Sequence, residues 1–203
     1  MATNLKRTVL SIAILGETGV GKTCICSVFL GVEFTDVHVA TIGIDKMHSE
    51  IELETGEKIR LKLWDTAGQE RFRSVGVNSL KHCQGAVVVF DLTQKSTFDK
   101  VTEWIKQIKD FSDILPICLF GNKSDIVEKR EVKEEEIDNI CKQYNLIYFE
   151  TSAKNNTGIQ EGIKKIATIA LKIFEKEDIK KGVNLRNVRG SFLKNKQERR
   201  KFC

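Results

Sequence analysis

The stretch Gly16-Glu17-Thr18-Gly19-Val20-Gly21-Lys22-Thr23 constrains this chain more than any other. It follows directly on the apolar run Val9–Leu15, which reads as a buried strand. Three glycines weaken regular structure, and a lysine at a strand end has no apolar partner. The spacing is G-x-x-x-x-G-K-[ST], with a strand before and a helix after. There the glycines let the backbone curl, so that successive N–H groups converge on phosphate oxygens, and the following helix adds its positive end. Gly16, Glu17, Thr18, Gly19, Val20 and Gly21 form the expected cradle, and Cys24 follows it into the helix. Lys22 is placed to reach the β- and γ-phosphates, and the Thr23 hydroxyl to hold Mg²⁺. A plain glycine-rich turn would not need this order of residues.

Further apolar runs set the architecture around that loop. His48–Leu53 and Lys58–Trp64 alternate apolar and polar residues and are joined by Glu54-Thr55-Gly56-Glu57, which predicts a hairpin. Ala86–Phe90, Ile117–Phe120 and Ile147–Phe149 are short continuous apolar runs, suited to strands buried on both faces. Helical spacing predicts helices over Phe98–Phe111, Lys133–Tyr144 and roughly Gly158–Glu175. Strands alternating with helices predict an α/β fold of the P-loop NTPase type. Its expected form is a doubly wound, mostly parallel six-stranded sheet with one antiparallel hairpin strand and helices on both faces. Such sheets bind ligands at the carboxyl ends of their strands, where each motif falls. The expected domain spans residues 1–178, with a flexible basic tail over 179–203.

Composition excludes several classes. The chain has 203 residues and a 41% hydrophobic fraction, enough for one such domain and its core. No stretch approaches the about 20 apolar residues of a membrane span. Val9–Leu15 with Lys6-Arg7 before it resembles a signal-peptide core, but no small-residue cleavage site follows. Six cysteines show neither zinc nor redox spacing, and buried free thiols are expected. The net charge of +5 is uneven: residues 180–203 carry nine Lys/Arg against one acid, Glu198. The body is near neutral, so a nucleic-acid surface is not expected and a basic arm is.

Two further motifs carry chemistry. Trp64-Asp65-Thr66-Ala67-Gly68-Gln69-Glu70 closes the second hairpin strand. Beside a phosphate loop, Asp65 is placed to hold Mg²⁺ through water. Gly68 brings a backbone N–H to the γ-phosphate, and Gln69 orients a water for in-line attack. Alone, D-x-x-G is also an ordinary turn. Asn122-Lys123-Ser124-Asp125 follows the Ile117–Gly121 strand. The Asp125 carboxylate matches two donors of guanine, its N1–H and its exocyclic amine, which adenine lacks at those positions; a site that leaves that carboxylate unpaired rejects the wrong base strongly. In isolation N-K-x-D is as easily a cap or turn. Ser152-Ala153-Lys154 closes the next strand, where backbone N–H groups meet guanine O6 and the lysine stem covers the base.

Together these residues resemble the small GTPases of the Ras superfamily, and most the Rab family, over about residues 8–175. Ala40-Thr41-Ile42-Gly43-Ile44-Asp45, Arg60–Ser74, Gly121–Asp125 and Glu150–Lys154 carry the likeness. The resemblance implies that Thr41 gives Mg²⁺ a second hydroxyl and the γ-phosphate a backbone N–H. It implies that Thr18 lies close to the γ-phosphate. It also implies that Phe34 stacks edge-on against guanine, the other reading being a core aromatic. The chain departs from the usual Rab pattern at Lys46, where an aromatic is usual, and at Ser79-Leu80-Lys81-His82-Cys83, where the usual run is Y-Y-R-G-A. Both segments shape the surface that partners read. His38, His48 and His82 form no catalytic or metal constellation and suit surface or partner contacts.

The expected activity is slow GTP hydrolysis with Mg²⁺ by a membrane-associated switch in vesicular trafficking. Gln69 and Lys22 are the catalytic residues, and Thr23, Thr41 and Asp65 the metal ligands. Expected partners are a guanine nucleotide exchange factor, a GTPase-activating protein, a GDP-dissociation inhibitor or escort protein, effectors and an anionic membrane. No nucleic acid is expected, and the chain is expected to be monomeric. Other readings are a P-loop ATPase or nucleotide kinase, a nucleotide-locked scaffold, and a Ras-like signalling GTPase. Arg199-Arg200-Lys201-Phe202-Cys203 ends the sequence. It is not C-a-a-X; one geranylgeranyl chain on Cys203 is expected, with an unmodified tail as the alternative. A single lipid is marginal alone, and each nearby Lys/Arg adds about 1 kcal/mol at an anionic leaflet. Ala2 excludes N-myristoylation. A cytoplasmic protein peripherally bound to an endomembrane is the expected result.

Overall fold

Alternate residues of the first strand, β1 (Val9–Leu15), feed two separate cores. Leu10, Ile12 and Ile14 join one apolar cluster, and Ala13 and Leu15 join the other. This is the period-two signature of a strand covered on both faces. The structure, a computed structural model, describes residues 8–35, 44–66 and 79–180.

After β1 come α1 (Lys22–Phe29), β2 (Ile44–Glu52), β3 (Lys58–Thr66), β4 (Gly85–Asp91), α2 (Lys95–Asp99), α3 (Val101–Phe111), β5 (Ile117–Asn122), α4 (Glu134–Tyr144), β6 (Ile147–Glu150) and α5 (Ile159–Lys180). Short 3₁₀ turns span Leu80–His82 and Val127–Lys129. The six strands form one sheet in the order β2-β3-β1-β4-β5-β6. Only the β2–β3 pair is antiparallel among the described strands. The expected α/β fold, with its six-stranded, mostly parallel sheet and one hairpin strand, is therefore found.

Helices cover both faces. Ile25, Cys26, Val28 and Phe29 of α1 and Ile159, Ile163, Ile166, Ala167 and Ala170 of α5 fill the first cluster. Phe98 of α2, Val101, Trp104, Ile105 and Ile108 of α3, and Ile137 of α4 fill the second. Of the periodic residues expected to make a last core helix, Ile159, Ile163, Ile166 and Ala170 do so, while Phe174 is exposed.

Three boundaries differ from expectation. The helix expected from Phe98 begins at Lys95 and is interrupted at Lys100. Its first turn, Lys95-Ser96-Thr97, is polar and carries no apolar period. The Thr97 hydroxyl fixes that turn instead, accepting from the Asp91 N–H at 2.9 Å and donating to the Gln94 carbonyl at 2.7 Å. Strand β2 starts at Ile44, four residues before the expected alternation, because Asp45, Lys46 and Met47 stay in register with Asp65, Trp64 and Leu63. Helix α5 continues to Lys180, past its last apolar periodic residue, Phe174.

The cysteines are free among the described residues, as expected, but only Cys26, Cys83 and Cys118 are buried; Cys24 and Cys141 are part-exposed. Burial pushes the Cys83 thiol up to about 12 and those of Cys26 and Cys118 well above their ordinary value.

Candidate functional site

The carboxyl ends of β1, β3, β4 and β5 lie side by side, and the loops leaving them meet. Ile14 pairs with Asp65 across β1 and β3, and Phe90 with Gly121 across β4 and β5. The described residues of the Gly16–Thr23, Asp65 and Asn122–Asp125 motifs are thus delivered to one end of the sheet.

The Gly16–Thr23 loop has the left-handed backbone its composition allows: φ is +140° at Gly16, +79° at Gly19 and +95° at Gly21. Space enforces glycine at two of these. A Cβ at Gly16 would run into the Val89 carbonyl, and one at Gly21 into the Asn122 amide. Glu17, Thr18 and Gly19 reach the surface to differing degrees, while Val20 is buried in the first cluster.

Lys22 folds back into this loop. Its ammonium donates to the Gly16 carbonyl at 2.9 Å and the Glu17 carbonyl at 2.7 Å. Burial lowers its pKa to about 8, against the opposing pull of Asp65 and Glu17. A buried cation of this kind calls for a neighbouring anion.

The Thr23 hydroxyl donates to the Asp65 carboxylate at 2.6 Å, and Asp65 is fully buried. The end of β3 is pinned there by Thr66, whose hydroxyl donates to the Ile14 carbonyl at 2.7 Å. A hydroxyl and a carboxylate brought together beside a phosphate loop form an oxygen set that fits Mg²⁺, with phosphates and water completing it. Among the described residues no group of three or more His, Cys, Asp or Glu could hold a metal.

The second loop is cross-tied to the first. The Asn122 amide donates to the Val20 carbonyl at 2.8 Å and accepts from the Thr151 hydroxyl at 3.3 Å. Both ends of this amide are therefore used within the protein. Lys123 sits at φ +65°, and its ammonium lies 2.6 Å from the buried Asp91 carboxylate. The Ser152 hydroxyl donates to the Asp125 carboxylate at 2.6 Å and accepts from the Asn155 N–H at 3.0 Å. Asp125 and Ser152 are thus held face to face, with Ala153 buried and Lys154 exposed beside them.

Phe34 is half-buried against the first core cluster. Cys24 lies part-exposed in the first turn of α1. Thr41, Gly68, Gln69 and Cys203 lie outside the described residues.

Several supporting residues carried no sequence signal of their own. Arg130 grips Glu150 with two hydrogen bonds, of 3.1 and 2.6 Å, and donates from Nε to the Val132 carbonyl at 3.0 Å. The Glu150 carboxylate raises the Arg130 pKa further. Tyr148 donates to the same carboxylate at 3.1 Å, and burial raises its phenol well above the ordinary value. This clasp fixes the strand that leads into Thr151–Lys154. Trp104 of α3 donates from its indole nitrogen to the Glu17 carboxylate at 2.9 Å. Glu17 therefore turns its side chain toward the core while its carbonyl serves Lys22.

Comparison with known proteins agrees with this geometry. The sequence model of the Ras family matches residues 11–172. The chain is 36% identical over 155 residues to the Ras-related protein Rab-13 of Bos taurus, covering 76% of each chain. The Rab-13 proteins of Mesocricetus auratus and Canis lupus familiaris match at the same identity and coverage. On this ground, the chain belongs to the Ras family as a Rab-like small GTPase, a guanine-nucleotide-binding GTP hydrolase.

Proposed function

We propose that GTP lies across the sheet edge with its phosphates in the Gly16–Thr23 loop and its base between the Asn122–Asp125 and Ser152–Lys154 loops. The observation that carries this reading is the Asn122 amide, which joins Val20 to Thr151 and so holds the two loops at a fixed separation. The Lys22 ammonium exchanges its two carbonyl partners for β- and γ-phosphate oxygens. Asp125 accepts from the base while Ser152 orients it. The backbone N–H groups of Ala153 and Lys154 face O6, and the stems of Lys123 and Lys154 cover the ring. Thr23, Asp65 and Thr41 would hold Mg²⁺, which when bound neutralises charge on the β- and γ-phosphates.

Gln69 orients the attacking water and Gly68 meets the γ-phosphate through its N–H. Turnover is slow because, among the described residues, no arginine faces the charge that develops. The two arginines among the described residues are held elsewhere, Arg60 opposite Glu50 and Arg130 on Glu150. A GTPase-activating protein supplies the missing one. Loss of the γ-phosphate releases Thr41 and Gly68, so the segments 36–46 and 66–80 change arrangement.

The output is partner exchange in membrane trafficking, in agreement with the Rab-13 relatives. A GTP-loaded monomer binds effectors, an exchange factor reloads it, and an escort protein or dissociation inhibitor handles the lipidated form. Among the described residues no helix is long and apolar enough to cross a membrane. Attachment at the cytosolic face of an endomembrane would instead come from a prenylated Cys203 and the basic 179–203 segment.

Competition binding with a fluorescent GTP analogue tests the site. GTP is expected to displace the probe, and ATP to need at least about 10⁴-fold more. In single-turnover phosphate release, Gln69→Leu is expected to slow hydrolysis at least about 100-fold with GTP affinity unchanged. Equal displacement by ATP overturns the base assignment, and an unchanged rate overturns that of Gln69.

A further inference from the structure

Asp91 closes β4 with a carboxylate in a residue that is only 2% exposed. Both of its oxygens are occupied. Oδ1 accepts from the Thr93 N–H at 2.9 Å and from the Thr93 hydroxyl at 2.7 Å, and Oδ2 lies 2.6 Å from the Lys123 ammonium. The first two partners belong to the turn that Asp91 itself begins. The third comes from the base loop, and without it Oδ2 is a buried anionic oxygen lacking its counter-charge. The carboxylate stands on a fixed post. The Asp91 N–H donates to the Thr97 hydroxyl at 2.9 Å. Beside it, the Leu92 N–H donates to the Asn122 carbonyl at 3.0 Å, and the Leu92 carbonyl accepts from the Glu131 N–H at 2.9 Å.

Lys123 follows Asn122, which pairs with Asp91 across β4 and β5. Its backbone stands at φ +65°, a region that residues with a Cβ disfavour. The loop enforces it. The Ile126 N–H donates to the Lys123 carbonyl at 3.1 Å, and the Ser124 N–H donates to the Thr151 carbonyl at 3.1 Å. Both ends of the lysine side chain are therefore held, the Cα by the loop and the ammonium by Asp91. The stem between them spans from the end of β5 to the end of β4, with 30% of the side chain still exposed. An untethered surface lysine samples many rotamers, and a ligand that packs on its stem must first order it.

We propose that Asp91 is a positioning residue for the nucleotide base: it tethers the Lys123 ammonium, so that the lysine stem is already in place when the base ring arrives. This rests on the reading that puts the base between the Asn122–Asp125 and Ser152–Lys154 loops, and it adds the group that holds the cover of that base. Asp91 acts through Lys123 and not on the nucleotide. It therefore sets how long a purine nucleotide stays and not which purine is chosen. The choice lies with the Asp125 carboxylate, which is held separately by the Ser152 hydroxyl. An Asp91 that served only the Thr93 turn would act on stability alone, and its effect would not depend on Lys123.

The test is dissociation of fluorescent GDP and fluorescent inosine diphosphate, which lacks the exocyclic amine, from the full chain with Mg²⁺. Asp91→Asn keeps an acceptor for Thr93 and removes the counter-charge. Lys123→Met keeps the stem and removes the ammonium. Each is expected to release GDP about tenfold faster, the factor that corresponds to the rotamer freedom of one lysine. Inosine diphosphate should speed up by the same factor, and the double variant should be no faster than Lys123→Met alone. Factors that multiply in the double variant, an unchanged rate in Asp91→Asn, or a changed ratio between the two nucleotides overturns the proposal. Side-chain ¹⁵N NMR of the wild type decides the matter where Asp91→Asn fails to fold. The Lys123 ammonium, assigned through its stem carbons, should exchange protons with water more slowly than that of Lys58, whose side chain is 71% exposed. Equal exchange overturns the tether. If the wild type releases both nucleotides at one rate, the base assignment to Asp125 fails, while the double variant still reads the tether.

Discussion

The hydrogen bond from Trp104 to Glu17 joins residues 87 apart in sequence and ties the phosphate loop to the second core. Trp104→Phe keeps an aromatic ring in a site that is 1% exposed but deletes the donor. A hydrogen bond to a charged acceptor is worth about 1.5–3 kcal/mol. Glu17 is only half-buried and can rehydrate, which places its coupling to Trp104 near the lower end, at about 1–2 kcal/mol. Trimming the bicyclic ring leaves a partial void worth about another 1–2 kcal/mol. The single substitution should therefore cost about 2–4 kcal/mol. The packing part cancels in a double-mutant cycle with Glu17→Ala, leaving the pairwise term. Urea unfolding of the GDP-loaded wild type, both single variants and the double variant measures it. The same term should appear in function, because a loosened loop holds phosphates less well. About 1–2 kcal/mol corresponds to GDP dissociating about 5- to 30-fold faster. Additivity within about 0.3 kcal/mol, or an unchanged dissociation rate in Trp104→Phe, would refute the view that this bond positions the loop.

Two further outcomes follow from local geometry. Gly16→Ala places a methyl group against the Val89 carbonyl at φ +140°, so it should lose about 3 kcal/mol or more, seen as a fall in Tm of about 6–12 °C. In native alkylation at pH 8, Cys24 and Cys141 should be labelled well before Cys26, Cys83 and Cys118. Burial holds the Cys83 thiol up at about 12, so its thiolate is scarce until pH approaches that value, and peptide mapping reads the order.

Much of this molecule was legible before any coordinate because its strands are continuous apolar runs and its chemistry sits at fixed spacings. Val9–Leu15 appears as expected to the residue. The hairpin, the three short buried strands and the last helix appear within a few residues of expectation. The polar first turn of α2, residues 95–97, stayed hidden because periodicity sees only apolar faces. The same reason explains the unseen extension of α5 to Lys180.

The ties between loops were illegible for a deeper physical reason. A phosphate cradle needs particular residue types in a particular order, so spacing reveals it. A tie needs only some donor near some acceptor, and any element of the fold supplies one. Nothing local links Arg130 to Glu150, Lys123 to Asp91, or Asn122 to Val20 across 102 residues. Asn122 shows what this changes in the chemistry. Sequence alone groups it with Asp125 only as a member of one N-K-x-D motif. In the structure its donor and its acceptor are both committed to the protein. On the proposed reading, discrimination of guanine then rests on Asp125, held by Ser152, while Asn122 ties the two loops together. Under that proposal a ligand of the wrong length is expected to be rejected by the spacing of the two loops, and a base with the wrong edge by the carboxylate.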